Sequence, residues 1–288
     1  MFRKLLVPLD FAQPSLHALE LAKGLLPEGG TLRLLYVLDE AAVVPMHGVF
    51  DLSRVESRAA EEIEKLADGI RAGGVTVETS LRRGHVANEI AAEVAGWGAE
   101  ALIVGSHGRK GLTRLLMGST AERLVRESEV PIGVVKGEPG PVRSIALASD
   151  FSDSSQPAFE VFCDYAKGLG VPGHLLHALD EDAWMLQASM IATSVPLDLG
   201  PVEQKARDDL AALAARAKAA GVTCEAELLE GSPWELIEDY TRKHDVGMLV
   251  LGTHGYRGYE RFVLGSVAQK LLRTVSAPVL VVPAPRHG

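Results

Sequence analysis

The chain has 288 residues, of which 47% are hydrophobic and 23% charged, with a formal net charge of −9. That length holds one large domain or two of ordinary size, and the composition is that of a globular protein. The acidic balance argues against broad binding to nucleic acid or to an anionic membrane, and no run approaches the roughly 18 consecutive apolar residues of a membrane span.

In chain order, Lys4–Leu9 is a short apolar run and is expected to be a buried strand. The run breaks at Pro8 and Asp10 before the apolar core of a secretory leader forms, which points to a cytoplasmic protein. Pro14 suits the first turn of a helix running to about Leu26. Thr31–Leu38 is the second strand. Arg54–Ala72 places Ile63, Leu66, Ala67 and Ile70 on one helix face, and its many charges read as an ordinary solvated face, as do those of 204–220. Val75–Leu81 alternates as a strand, Val86–Trp97 is helical, and Ala101–Val104 is a fully apolar strand. Ser119–Glu127 is a helix and Ile132–Val135 closes the series. Strands alternating with helices imply a parallel sheet covered on both faces, with ligands at the carboxyl ends of the strands.

The series then repeats. LLVPLDF, ending at Asp10-Phe11, matches IALASDF, ending at Asp150-Phe151, and LLYVLDE (34–40) matches LLHALDE (175–181). From Gly74 onward the spacing is constant, since Gly74 and Gly221, Gly105 and Gly252, and Gly118 and Gly265 all lie 147 residues apart, against 140 for the two aspartates. A period of that length means two whole domains rather than a solenoid. They are expected at 1–137 and 142–288, joined by the Pro/Gly linker Lys136–Pro141. The fold class expected is two tandem doubly wound, Rossmann-like domains, each a five-stranded parallel sheet. The second copy's surplus falls mostly within 181–201, where Trp184, Met185, Leu186, Met190, Ile191 and Val195 favour burial over the second site or between domains.

The fourth strand of each copy runs into a glycine loop. Gly105-Ser106-His107-Gly108, nine residues and Gly118-Ser119 match Gly252-Thr253-His254-Gly255, nine residues and Gly265-Ser266. Glycines let backbone N–H groups approach an anion, and a helix opening at Ser119 or Ser266 offers unsatisfied N–H groups and the positive end of its dipole. Arg109, Lys110 and Arg114 in one loop, and Arg257 and Arg261 in the other, can neutralise phosphate. The alternative is that the glycines only turn the chain and the serines only cap; two full copies favour nucleotide binding. The loops are not P-loops, and no G-x-G-x-x-G follows either first strand. Asp10 and Asp150 suit either an Asx turn or a ribose contact. His107 and His254 read as structural residues. The nine histidines show no HxxxH or HExxH pairing and the two cysteines, Cys163 and Cys224, no CxxC, which argues against a metal or redox centre.

The glycine pattern, the strand-ending aspartates and the closing strands VPIGVV and APVLVV together resemble the universal stress protein family, over nearly the whole chain twice. The glycine pattern is the one found in that family's ATP-binding members. The resemblance implies that Asp10 holds the ribose hydroxyls, with Pro8 and Leu9 beside the base and Val37 packed on adenine. Val104, Gly105, Gly108, Gly118, Ser119 and Thr120 would line the phosphates. In the second copy the matching positions are Ala148, Ser149, Asp150, Ala178, Leu251, Gly252, Gly255, Gly265, Ser266 and Val267. Ala178 and Val267 depart from the first copy by a smaller apolar group and a lost hydroxyl. Any Mg²⁺ would ride on the ligand's phosphates. The resemblance further implies a role in stress response or signalling through an unidentified protein partner. Family members pair through their last strands, within one chain or as a homodimer. No dedicated general base or carboxylate metal pair is visible, so slow ATP hydrolysis at most is expected. Two rivals stand beside this reading. A related adenine-nucleotide hydrolase or nucleotidyl transferase would carry HxGH or SGGxDS motifs, which are absent from the sequence. An empty interaction module would not need intact glycines in both copies.

Overall fold

The computed structural model describes residues 1–39, 52–108, 117–180, 200–253 and 264–284. The chain divides into two compact units, Met1–Pro141 and Val142–Gly288.

Unit 1 contains β1 (Lys4–Leu9), α1 (Gln13–Leu25), β2 (Thr31–Asp39), α2 (Leu52–Arg71), β3 (Thr76–Gly84), α3 (Val86–Trp97), β4 (Ala101–Gly105), α4 (Ser119–Glu127) and β5 (Ile132–Val135). Its strands lie in the order β3-β2-β1-β4-β5, all neighbours parallel. The chain winds outward from β1 to β3, then returns to build β4 and β5 on the other side. The carboxyl ends of β1 and β4 therefore flank the switch in winding direction, the place at which ligands bind in doubly wound sheets.

The central strands are buried on both faces, which is why they read as unbroken apolar runs: Leu5, Leu6 and Val7 are fully enclosed, and Ala101–Val104 nearly so. Alternation along β3 shows that helices cover both faces. Thr79 donates a hydrogen bond to Glu64 of α2, whereas its neighbour Glu78 stands with Arg33 on the other face, where Arg33 reaches Glu93 of α3. Glu93 is a nearly enclosed carboxylate held between Arg33 and Arg82. Burial alone would raise its pKa, but the hydrogen bonds from the two guanidiniums outweigh that and hold it below the ordinary value.

Unit 2 repeats the plan with β6 (Ile145–Ala148), α5 (Gln156–Leu169), β7 (Gly173–Leu179), α6 (Gly200–Ala219), β8 (Cys224–Glu230), α7 (Pro233–Lys243), β9 (Met248–Gly252), α8 (Ser266–Thr274) and β10 (Val279–Val282). A short 3₁₀ turn, Asp153–Ser155, precedes α5. The strand order β8-β7-β6-β9-β10 mirrors unit 1. Each unit is thus a doubly wound, Rossmann-like domain with a five-stranded parallel sheet.

The sequence places the end of the third strand at Leu81, whereas β3 continues to Gly84 in register with Val37, Leu38 and Asp39. Arg82 breaks the apolar pattern, yet it is accommodated because α3 presents Glu89 and Glu93 to it. The two cysteines are free thiols, Cys163 buried and Cys224 half-buried. Among the described residues no helix is long and apolar enough to cross a membrane.

Candidate functional site

At the carboxyl end of β1 the chain turns sharply into α1. Asp10 makes this turn: its Oδ1 accepts the Ala12 N–H at 3.0 Å and lies 2.7 Å from the Ser15 hydroxyl, which itself accepts the Asp10 N–H. The intervening Phe11 holds a left-handed backbone, φ 60°, and its ring lies 5.6 Å from that of Tyr36 on β2. One oxygen of Asp10 is thus committed to an Asx turn. The other, Oδ2, faces Gly108, where a Cβ would stand only 2.9 Å away.

Gly105 and Gly118 are glycines for packing reasons that can be read directly. A Cβ on Gly105 would lie 2.6 Å from the Pro14 carbonyl carbon, so β4 can pass under the first turn of α1 only without a side chain there. A Cβ on Gly118 would press on the backbone of His107 at 3.3 Å. The loop ends are tied together, since Gly118 N–H donates to the Ser106 carbonyl at 2.7 Å and Ser106 N–H to that of Val135 at 2.7 Å. Ser106 is buried, and its hydroxyl lies 2.8 Å from His107 Nδ1, which engages that histidine with its neighbour. Helix α4 then begins at Ser119 with Gly118 as its N-cap residue and no side-chain cap. Its first-turn N–H groups need an outside acceptor, water or an anion. Ser119 is exposed, Thr120 half-buried and Val104 buried just below.

Unit 2 repeats this geometry. Asp150 Oδ1 accepts the Ser152 N–H at 3.1 Å and its hydroxyl at 2.6 Å, while Asp150 Oδ2 is buried and has no hydrogen-bond partner among the described residues. Phe151 is left-handed at φ 62°, and its ring stacks on His177 at 4.2 Å. His177 donates from Nδ1 to the Ser149 carbonyl at 2.8 Å; burial pushes its pKa down, against the pull of that carbonyl and of Asp150 and Asp209. Gly265 N–H donates to the Thr253 carbonyl, and α8 starts without a side-chain cap, as α4 does.

Of the other expected site residues, Pro8, Val37, Ala148 and Ala178 are half-buried on the ends of their strands, and Leu251 is buried beneath Gly252. Leu9 is 4% exposed and belongs to the core. Ser149 in its place uses Oγ to accept the Phe151 N–H at 3.1 Å. Ser266 is exposed and Val267 half-buried at the start of α8. Arg109, Lys110, Arg114, His254, Gly255, Arg257 and Arg261 lie outside the described residues, as does nearly all of 181–201. Sequence reasoning passed over the ring pairs Phe11/Tyr36 and Phe151/His177 and the buried Ser15 and Ser155. The duplication itself held the signal, because each recurs at the matching place in both copies.

The family model for universal stress proteins matches residues 1–136 and again 141–283. A universal stress protein of Methanocaldococcus jannaschii is 30% identical over 144 residues, covering 47% of this chain and 83% of that one. One from Mycolicibacterium smegmatis is 27% identical over 223 residues, covering 73% of this chain and 69% of the relative. The crystal structure of a universal stress protein from Archaeoglobus fulgidus has the same fold across 99% of this chain and 97% of its own, with a TM-score of 0.71 at 21% identity. Matched once along each unit, the chain belongs to the universal stress protein family in its tandem form.

Proposed function

We propose that each unit binds ATP in the crevice between the carboxyl ends of its first and fourth strands, and that the loaded protein acts in stress response by presenting a different surface to a protein partner. The observation that carries this is the strand-ending aspartate of each unit. In unit 2 one of its oxygens is buried without a partner among the described residues, and in unit 1 a Cβ on Gly108 would crowd it at 2.9 Å. A buried carboxylate oxygen left unpaired costs free energy, and a pair of ribose hydroxyls is a donor set that satisfies it. The uncapped starts of α4 and α8 would receive the phosphates, helped by Arg109 and Arg257, and Val37 or Ala178 would face the base. Mg²⁺ would neutralise phosphate charge from the ligand's side, since ATP carries its own oxygen ligands for it. Occupancy shifts the protein between surfaces only as far as ATP prefers one of them.

The test is to denature the purified protein and identify any released nucleotide, then titrate the stripped protein with ATP. Two equivalents of ATP per chain are expected. A different or modified nucleotide points to the hydrolase or transferase reading, and no nucleotide with no binding points to an interaction module.

A further inference from the structure

Aligned by strand register, the two units carry different side-chain clusters far from the glycine loops, near the amino ends of the strands. In unit 1, Arg33 of β2 is paired in register with Glu78 of β3. Its guanidinium binds Glu78, lies 2.8 Å from Glu93 of α3, and sits 4.5 Å from the centre of the Trp97 ring. One fixed cation thus ties two strands to a helix.

In unit 2 the matching register pair is His174 and Glu225. The positions 147 residues after Glu93 and Trp97 are Tyr240 and His244. The permanent cation has become one imidazole, His174, and the indole of Trp97 a second, His244, so that lone pairs stand in place of a charge. The groups converge: His174 Nδ1 is 3.1 Å from the Tyr240 hydroxyl and 3.8 Å from Glu225 Oε2. The His244 ring stacks on Tyr240 at 4.0 Å and 12°. One ligand atom from each of His174, Glu225 and His244 lies within 4.8 Å of the others. Exposed carboxylates and histidines often meet on protein surfaces with no ion between them. Here His174 is 9% exposed, so packing fixes its ring, and its Nδ1 is aimed at the space shared by the Tyr240 hydroxyl and Glu225.

We infer that His174, Glu225 and His244 form a binding site for a divalent transition-metal ion of the zinc class, which ties β7, β8 and α7 together as the Arg33 guanidinium ties their counterparts. Two imidazoles and a carboxylate make a donor set that zinc accepts, with a fourth position left to water. Bonds of about 2.0–2.2 Å hold tetrahedral ligand atoms roughly 3.3 Å apart. Glu225 and His244 are exposed and close that distance by changing rotamer, while His174 stays in place.

The full-length protein, stripped with a chelator, is titrated with Zn²⁺ by calorimetry and with Co²⁺ by visible absorption. Other imidazoles on the chain also take up metal, so the readout is the difference between wild type and two variants at exposed positions, His244→Ala and Glu225→Gln. The expected result is one equivalent in wild type with Kd of about 1 µM or tighter, giving intense four-coordinate Co²⁺ bands. Each variant should weaken that equivalent about 100-fold while leaving the circular dichroism unchanged. Zn²⁺ should also raise the wild-type Tm and not that of His244→Ala. Equal zinc affinity and stoichiometry in wild type and both variants would overturn the inference. So would a wild type with no equivalent tighter than about 100 µM.

Discussion

Substituting alanine at Gly108 and at Gly105 separates a ligand contact from a packing contact within four residues of chain. At Gly108 the new Cβ would lie 2.9 Å from Asp10 Oδ2, against 3.4 Å for ordinary contact, so the carboxylate must retreat by about 0.5 Å. The obstacle is the end of a side chain, and Gly108 itself is exposed, so the fold has room to absorb the change. Asp10 is not free to swing, because Oδ1 is held by Ala12 and Ser15. A hydrogen bond to a charged group contributes about 1.5–3 kcal/mol, and misplacing it by that much forfeits roughly the whole of it. ATP binding at the first site should therefore weaken about ten- to hundredfold with Tm unchanged. At Gly105 the Cβ would meet the Pro14 carbonyl at 2.6–2.7 Å, which is backbone at the start of α1. That change should lower stability by about 1–3 kcal/mol or more, as overpacking does. Both variants are made in a Gly265→Glu background, which blocks the second site, and compared by calorimetry with ATP and by thermal melts. A Gly108→Ala protein that binds ATP within twofold of its parent would remove Asp10 from the site. If its Tm falls as far as that of Gly105→Ala, the glycine serves packing alone.

The two sites should also be unequal. Ala178 and Val267 offer the ligand less apolar wall and one hydroxyl fewer than Val37 and Thr120; a deficit of about 1–2 kcal/mol makes Gly265→Glu, which keeps the first site, bind ATP about five- to thirtyfold tighter than Gly118→Glu at equal Mg²⁺. Equal affinities or the reverse order would show that wall size does not set the difference. Glu93→Gln removes a nearly enclosed carboxylate from between two arginines that are themselves partly exposed, and should shift the denaturant midpoint by about 1–3 kcal/mol; a change under about 0.5 kcal/mol would mean solvent already screens the pair. His177 carries a depressed pKa in the folded state, so stability is full above its ordinary value of 6.5 and declines as pH falls below that, when the unfolded chain takes up the proton first. His177→Tyr, the residue found at the same place in unit 1, should make that slope shallower just below pH 6.5, and an unchanged slope in urea melts would assign it elsewhere, His174 being the next group with a lowered pKa.

Much of this architecture was legible because parallel strands buried on both faces leave unbroken apolar runs, and because the chain states the pattern twice. The aspartates and glycine loops stood out as a candidate site for the same reason. What sequence could not reveal is how Asp10 gives one oxygen to a turn and turns the other toward Gly108, since that depends on Ser15 folding back and on the loop after β4 passing beside it. The end of β3 was hidden by Arg82, whose charge looks like a loop signal until α3 supplies its carboxylates. The His174 cluster was invisible to spacing rules, because its members come from two strands and a helix end that only the sheet register brings together.

Phe11 and Phe151 each keep a left-handed backbone that costs a residue with a Cβ about 1–2 kcal/mol. In each unit the ring beside them, Tyr36 or His177, belongs to the second strand. The turn that shapes the aspartate is therefore held in tension by aromatic contact with the neighbouring strand. Glycine at either position would relieve the backbone and at the same time release that hold. Relieving the strain at this residue would thus blur the aspartate's aim, which sets local stability and recognition against each other at one position in each half.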